Sequence, residues 1–305
     1  MQNKKLHGIV PPAVTPLLDD IEFDSDSAAK LYDYFLEAGV HGLFLFGSSG
    51  EGPWLTSDIR TAGLKVAREK LVGKIPLLVG VLAPGTAQVI EQGLQAKEYG
   101  ANYLVVAAPY YFSVSQAEIK EHFRIIHQAV GVPILAYDIP VTTHVKIQLE
   151  TMLEMAAEGI IVGVKDSSGD VGNYRRLSVK RPKDFCMFTG SELLVDESVI
   201  TGSEGAVPGL ANVDAALFVK VYNLVREGRY SDAVELQNRL NKLFDVFASP
   251  DGSICAAYAI GAMKIGVYLK GIISSMKTVA PFTAVTPEQI ERTKALMIEA
   301  DVLKS

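Results

Sequence analysis

The chain has 305 residues, 49% hydrophobic and 21% charged, with 29 Lys and Arg against 35 Asp and Glu for a net charge of −6. That is enough apolar material for a sizeable core, which excludes a disordered chain, and a mild acidic excess without a long basic run argues against nucleic-acid binding. Two cysteines, Cys186 and Cys255, cannot make a disulfide framework or a four-cysteine zinc site and read as reduced core thiols. No long apolar run follows the opening residues Met1 to Gly8. Pro11, Pro12, Pro16 and the Asp19-Asp20 pair interrupt what comes next, so no signal peptide is expected. No stretch approaches the roughly 20 apolar residues of a membrane helix, and the expectation is a soluble cytoplasmic protein.

Taken in chain order, short apolar or β-branched runs recur at Gly8–Val14, Gly42–Phe46, Pro76–Val81, Tyr103–Ala108, Pro133–Tyr137, Ile160–Lys165, Cys186–Thr189 and Gly205–Val207. Most are continuously apolar rather than alternating, as strands read when both faces are covered in a parallel sheet. Segments of helical period lie between them. Ala28, Leu31, Tyr32, Phe35 and Leu36 share one face, with Asp24 to Ser27 offering N-caps in front. Gly39, Gly73, Gly100, Gly131, Gly159 and Gly202 each follow a helical segment and precede a strand, the place of a left-handed C′ glycine. Helix, glycine and strand repeated in this way predict a (β/α)₈ TIM barrel, an α/β fold, over residues 1–225. A doubly wound open sheet is the second choice, but it would carry a nucleotide fingerprint after its first strand, where Pro11-Pro12-Ala13 stands. Beyond the eighth strand the chain reads as helix at Ala215–Arg226 and Tyr230–Phe247. Cys255–Met263 is a small apolar segment, and Pro287–Asp301 a last helix capped by Thr286. Residues 226–305 are therefore expected to be a helical extension of the same domain, packed on the barrel or on another subunit.

A TIM barrel places its active site at the carboxyl ends of the strands. Strand six closes on Lys165-Asp166. A lysine buried there is costly as a cation, and desolvation favours the free amine that attacks a carbonyl. The competing reading is a lysine that snorkels out to solvent or pairs with Asp166 or Asp138. Tyr137, at the end of strand five, is either a proton shuttle or an aromatic filling the barrel mouth. Gly47-Ser48-Ser49-Gly50-Glu51 after strand two is either an anion nest of hydroxyls and N–H groups or a plain turn and helix cap. It lacks the lysine of a nucleotide P-loop. Tyr110-Tyr111-Phe112 would line a site or an interface, and Gly190-Ser191-Glu192 and Gly205 to Gly209 would add small polar groups and backbone to the same rim. The five histidines show no metal-binding spacing. They read as core or surface residues, except that His144 follows strand five and could face a substrate.

Gly47-Ser48-Ser49-Gly50-Glu51, Pro109-Tyr110-Tyr111, Tyr137-Asp138-Ile139-Pro140, Gly163-Val164-Lys165-Asp166 and Gly205-x-x-Pro208-Gly209 occur in register on successive strand ends. Together they resemble the dihydrodipicolinate synthase and N-acetylneuraminate lyase family of pyruvate-dependent class I aldolases, over essentially the whole chain. The resemblance implies that Lys165 forms an imine with pyruvate or a 2-oxo acid. It makes Tyr137 the proton shuttle and Ser48 its relay, completed by Tyr111 from a neighbouring subunit. Gly47, Ser49 and adjoining N–H groups would hold the substrate carboxylate, and Val207 would touch pyruvate through its backbone. It further implies a tetramer built as a dimer of dimers, with neither metal nor organic cofactor.

One departure bears on substrate. Where the synthases usually place an arginine, this chain has Thr142, which carries no charge and cannot pair bidentately with a carboxylate. Ser167 and Glu192 would instead face a hydroxylated substrate. The expectation is a lyase acting on a 2-oxo-3-deoxy sugar acid or related 2-oxo acid. Condensation of pyruvate with aspartate semialdehyde comes second, and a dehydratase using the same imine stays open. A pyruvate-binding regulatory protein and a phospho-sugar barrel enzyme are the competing classes.

Overall fold

The computed structural model describes residues 5–19 and 21–304. Met1 to Lys4 and Asp20, which belong to the reading of the amino terminus given above, lie outside the described residues. In chain order the elements are β1 Gly8–Ile9, α1 Ser25–Glu37, β2 Leu43–Leu45, α2 Ser57–Leu71, β3 Leu77–Gly80, α3 Thr86–Glu98, β4 Tyr103–Ala107, α4 Gln116–Val130, β5 Ile134–Asp138, the one-turn α5 Pro140–Thr143, α6 Leu149–Ala157, β6 Gly163–Asp166, α7 Val171–Lys180, β7 Cys186–Thr189, α8 Val195–Ile200, β8 Gly205–Ala206 and α9 Ala211–Arg226. Past the barrel come α10 Tyr230–Leu243, α11 Ala256–Leu269 and α12 Pro287–Glu299.

The eight strands are parallel in the order β1-β8-β7-β6-β5-β4-β3-β2. Residues just past β1 close the ring: Pro12 bridges Phe44, with Phe44 N donating to Pro11 O at 3.0 Å and Ala13 N to Phe44 O at 2.9 Å. The first strand is thus shorter than Gly8–Val14, because two successive prolines have no N–H to give the ladder. The six punctuating glycines all have positive φ, between 68° and 103°. Asp24 caps α1 by accepting from Ser27 N at 3.0 Å, and Thr286 caps α12 by accepting from Gln289 N at 3.2 Å.

Strand alternation divides the apolar residues between two layers. Val10, Phe44, Leu78, Val105, Leu135, Tyr137, Phe188 and Val207 fill the barrel interior. Their neighbours Ile9, Leu43, Leu45, Val79, Val106, Ile134, Ala136, Val164 and Met187 face the helices. Leu240 and Leu243 of α10, Ile260, Ala262, Met263 and Val267 of α11 and Met297 of α12 join this outer layer, and α10 and α11 both lie against α9. Within α9 the backbone breaks at Asp214, whose carboxylate caps the second part by accepting from Leu217 N at 3.2 Å; the helix read from Ala215 is that second part. Cys186 is buried, as expected, but Cys255 is exposed, because it precedes the apolar run of α11 instead of belonging to it. Among the described residues no helix is long and apolar enough to cross a membrane.

Candidate active site

The site grows out of the register between β5 and β6. Tyr137 stands directly opposite Lys165, and Asp138 opposite Asp166. Alternation sends Tyr137 and Lys165 into the barrel and turns the two aspartates outward. Lys165 is 5% exposed. Its Nζ lies 4.1 Å from the centre of the Tyr137 ring and 5.2 Å from that of Phe44, two rings set edge to face at 6.5 Å. It makes no hydrogen bond or ion pair among the described residues. The aspartates that could have neutralised it are engaged elsewhere. Lys146 Nζ bonds Asp138 Oδ2 and stands 3.9 Å from Asp166 Oδ2, while Asp138 Oδ1 accepts from Ile147 N at 3.2 Å. Burial holds the Asp138 carboxyl above the usual carboxylate range, although Lys146 pulls the other way. The pairing of Lys165 with Asp138 or Asp166 is therefore not found. An amine against aromatic faces, with no carboxylate at hydrogen-bonding distance, is disposed to attack a carbonyl.

The loop after β2 brings Ser48 to this pair, with Ser48 Oγ 3.4 Å from Tyr137 Oη. The turn is tight: Gly47 O accepts from both Gly50 N and Gly52 N, at 3.1 and 3.0 Å. A Cβ on Gly47 would stand 2.6 Å from the Phe44 ring and one on Gly52 1.8 Å from Phe46 O, so neither position admits a side chain. Phe46 and Glu51 take positive φ, both 57°, a strained state that the surrounding bonds must hold.

Those bonds come from outside the loop, and the residues that make them were not singled out in the sequence. Glu51 is buried, with Oε1 accepting from Val279 N at 2.7 Å and Oε2 lying 2.5 Å from Lys264 Nζ. Lys264, fully buried in the apolar helix α11, also donates to Lys277 O. Thr15 Oγ1 donates to Gly50 O at 2.6 Å. Asn212, also fully buried, accepts from Val14 N at 2.9 Å and donates to Pro12 O and Gly209 O at 2.9 and 2.8 Å, tying the end of β1 to the loop after β8. A lysine and a glutamate far apart in sequence give no local sign of pairing; the signal that could have found them is a charge inside the otherwise apolar run of α11.

The remaining expected residues gather unevenly. Glu192 accepts from Gly209 N at 2.6 Å; a Cβ on Gly209 would stand 3.1 Å from Glu192 Oε1 and 3.4 Å from Ser49 Oγ, so these three groups converge. Burial raises the Glu192 carboxyl above its ordinary range, opposed by the Gly209 N–H and the charge of Lys165. Ser167 lies against Gly190, where an added Cβ would meet its Oγ at 1.9 Å. Val207 is buried in the interior with its N–H given to Thr189 O at 2.8 Å, which leaves only its carbonyl for a ligand. Thr142 is exposed on α5, and His144 is exposed just beyond it. Tyr111 is 78% exposed and packs edge to face on Phe112 at 4.9 Å. Its own chain does not bring it to Ser48 or Tyr137, whereas Tyr110 turns inward and donates to Leu82 O at 3.1 Å.

Comparison with known proteins agrees with this geometry. The model of the dihydrodipicolinate synthetase family matches residues 5–300. A 4-hydroxy-tetrahydrodipicolinate synthase of Prosthecochloris aestuarii is 30% identical over 264 residues, 86% of this chain and 89% of that protein. An uncharacterized DapA-like lyase of Halobacterium salinarum is 32% identical over 271 residues, covering 89% of this chain and 84% of its own length. Among solved structures, the dihydrodipicolinate synthase of Bacteroides thetaiotaomicron superposes with a TM-score of 0.90 at 28% identity, over 98% of this chain and 100% of that one. The Escherichia coli K12 prophage protein YagE, solved in complex with pyruvate, superposes with a TM-score of 0.91 at 23% identity, over 98% and 100%, and shows the shared fold. A barrel with an unpaired lysine opposite a tyrosine at its mouth, and a family match over nearly the whole chain, lead to one statement: the chain belongs to the dihydrodipicolinate synthetase family and is a lyase of the class I aldolase type.

Proposed function

We propose that the protein cleaves or forms a carbon–carbon bond between pyruvate and an aldehyde through an imine on Lys165, with a 2-oxo-3-deoxy sugar acid or related 2-oxo acid as substrate. The observation that carries this is the Lys165 amine, buried between Phe44 and Tyr137 and, among the described residues, free of any carboxylate partner. The amine adds to the C2 carbonyl and expels water. The imine then takes up the electron pair of the C3–C4 bond as it breaks, while Tyr137 removes the C4 hydroxyl proton and the aldehyde leaves. The enamine is protonated at C3, and hydrolysis returns pyruvate and free Lys165. Ser48, 3.4 Å from Tyr137, relays the proton. Gly47, Ser49 and their N–H groups hold the carboxylate, with the Val207 carbonyl beside them.

The exposed Tyr111 completes the relay from a second copy of the chain, in a tetramer arranged as a dimer of dimers. No cofactor or metal enters the scheme, and a cytoplasmic location suits it. The sugar-acid reading rests on Thr142, uncharged where the carboxylate of a second substrate would need a cation, and on Glu192 and Ser167 as polar partners for hydroxyls. Condensation of pyruvate with aspartate semialdehyde is the second reading, favoured by the name of the 30% identical relative.

Pyruvate and borohydride should leave a reduced adduct on Lys165, seen by intact mass and peptide mapping. Lys165→Ala should abolish both adduct and turnover while leaving the circular dichroism spectrum intact. An adduct elsewhere, or activity without Lys165, overturns the imine. A panel of 2-oxo acids with pyruvate release as readout, run beside aspartate semialdehyde condensation, separates the two substrates.

A further inference from the structure

A second concavity, of about 550 Å³, opens at the opposite end of the barrel, where β1, β2 and β8 begin. Its wall carries Lys5, His7, His41, Tyr222 and Arg226. His41 packs edge to face on both other rings, His7 at 5.2 Å and Tyr222 at 5.1 Å, while His7 and Tyr222 stack on each other at 6.5 Å. Its Nδ1 accepts from Ile9 N at 3.1 Å, so the neutral ring carries its proton on Nε2 and offers a donor there. Tyr222 Oη is 3.5 Å from His7 Nδ1. Glu204 is the carboxylate of this wall, and both its oxygens are already engaged. Oε1 pairs with Lys5 at 2.7 Å; Oε2 accepts from Arg181 at 2.5 Å and Met187 N at 2.7 Å. Arg226, in contrast, makes no hydrogen bond or ion pair among the described residues. Among the described residues the hollow therefore presents an uncommitted guanidinium and two imidazoles, with its ammonium, Lys5, and its carboxylate, Glu204, already engaged with each other.

We infer that this hollow binds a small multivalent anion, a phosphate monoester or a compact polycarboxylate, held by Arg226, His7 and His41 at a site separate from the lyase centre. The chemistry follows from the donor excess. A lone guanidinium beside ring N–H groups is satisfied by several oxygens of one anion, and charge-assisted bonds of this kind are the strong ones. The volume leaves room for more than a bare oxyanion, so a ligand with an organic body fits.

The test is a titration of the full-length protein with inorganic phosphate, and separately with succinate, followed by the imidazole signals of all five histidines in nuclear magnetic resonance. His7 and His41 should shift saturably, one site per chain, while His122, His127 and His144 stay in place. Saturating pyruvate should leave the titration unchanged. Arg226→Gln should weaken binding at least about tenfold, with lyase activity and the ligand-free melting temperature kept at wild-type values. A response to phosphate alone assigns tetrahedral anions, and a response to succinate alone assigns carboxylates. Absence of a saturable shift with either probe, indifference to Arg226→Gln, or competition by pyruvate would each overturn the inference.

Discussion

Lys165 and Asp166 are adjacent in the chain and belong to opposite sides of the barrel wall, one among aromatic rings and the other near Lys146. A strand with period two separates a buried amine from the carboxylate next to it in the chain without any added device. His122 shows the same dependence of chemistry on placement. It is buried on α4 with Nδ1 2.9 Å from Thr86 Oγ1, and burial pushes its pKa down to about 4, against a smaller upward pull from a bond to the Ala107 backbone. The folded state therefore keeps the ring neutral where the unfolded chain would protonate it, near 6.5. Its contribution to stability is complete above pH 6.5 and is lost as pH falls from there towards 4, on the order of 3 kcal/mol in all. His122→Gln should flatten that part of the acid limb when melting temperature is followed by calorimetry between pH 7.5 and 4.5; an unchanged slope would show that the ring titrates normally.

At the scale of elements, the buried pair of Glu51 and Lys264 fastens the loop after β2 to α11. Removing one partner of such a pair strands the other charge, at a cost of about 3–5 kcal/mol, whereas removing both costs less. Denaturation midpoints should therefore fall steeply for Lys264→Met and recover in part for Lys264→Met with Glu51→Gln. Both variants should raise KM for the 2-oxo acid through loosening of Ser48 and Ser49. Equal losses in the single and double variants would show no coupling.

The strands were legible because both layers of the wall are apolar, and β7 has the bounds read for it. Boundaries slipped where the backbone had another obligation. Ile160 looks like strand but still donates to Met155 O at 2.9 Å, closing α6, and the ladder starts only when Val162 N meets Ile134 O. Lys165 and Tyr137 could be placed because strand ends are local. Lys264, and the buried Arg60 whose guanidinium donates to Gly80 O at 2.9 Å, could not, since their partners are set by tertiary packing.

For the whole molecule, the extension is joined to the barrel through α9. Leu217, Phe218, Val221, Leu224 and Val225 of α9 are buried, and α10 and α11 lie against that helix. Trp54, just past the loop that follows β2, packs on Phe282 ahead of α12 with ring centres 4.3 Å apart. A chain ended after residue 225 should bind hydrophobic dyes and melt without a cooperative transition, in keeping with residues 226–305 as part of one domain. A sharp transition in that fragment would make the extension a separate unit. The proposed relay makes the matching case between molecules. Tyr111→Phe should slow turnover while borohydride still traps pyruvate on Lys165; unchanged turnover would remove the hydroxyl from the relay.

The tether at Glu51 also orders events in time. The ribosome delivers the loop bearing Ser48 and Ser49 long before it delivers Lys264 and Val279, about two hundred residues later. At roughly 5–20 residues per second that is a wait of ten seconds or more. Through that interval the emerging carboxylate has neither its ammonium nor its amide donor. The anchor of that loop is thus withheld from the nascent chain until α11 and the segment that follows it have been made.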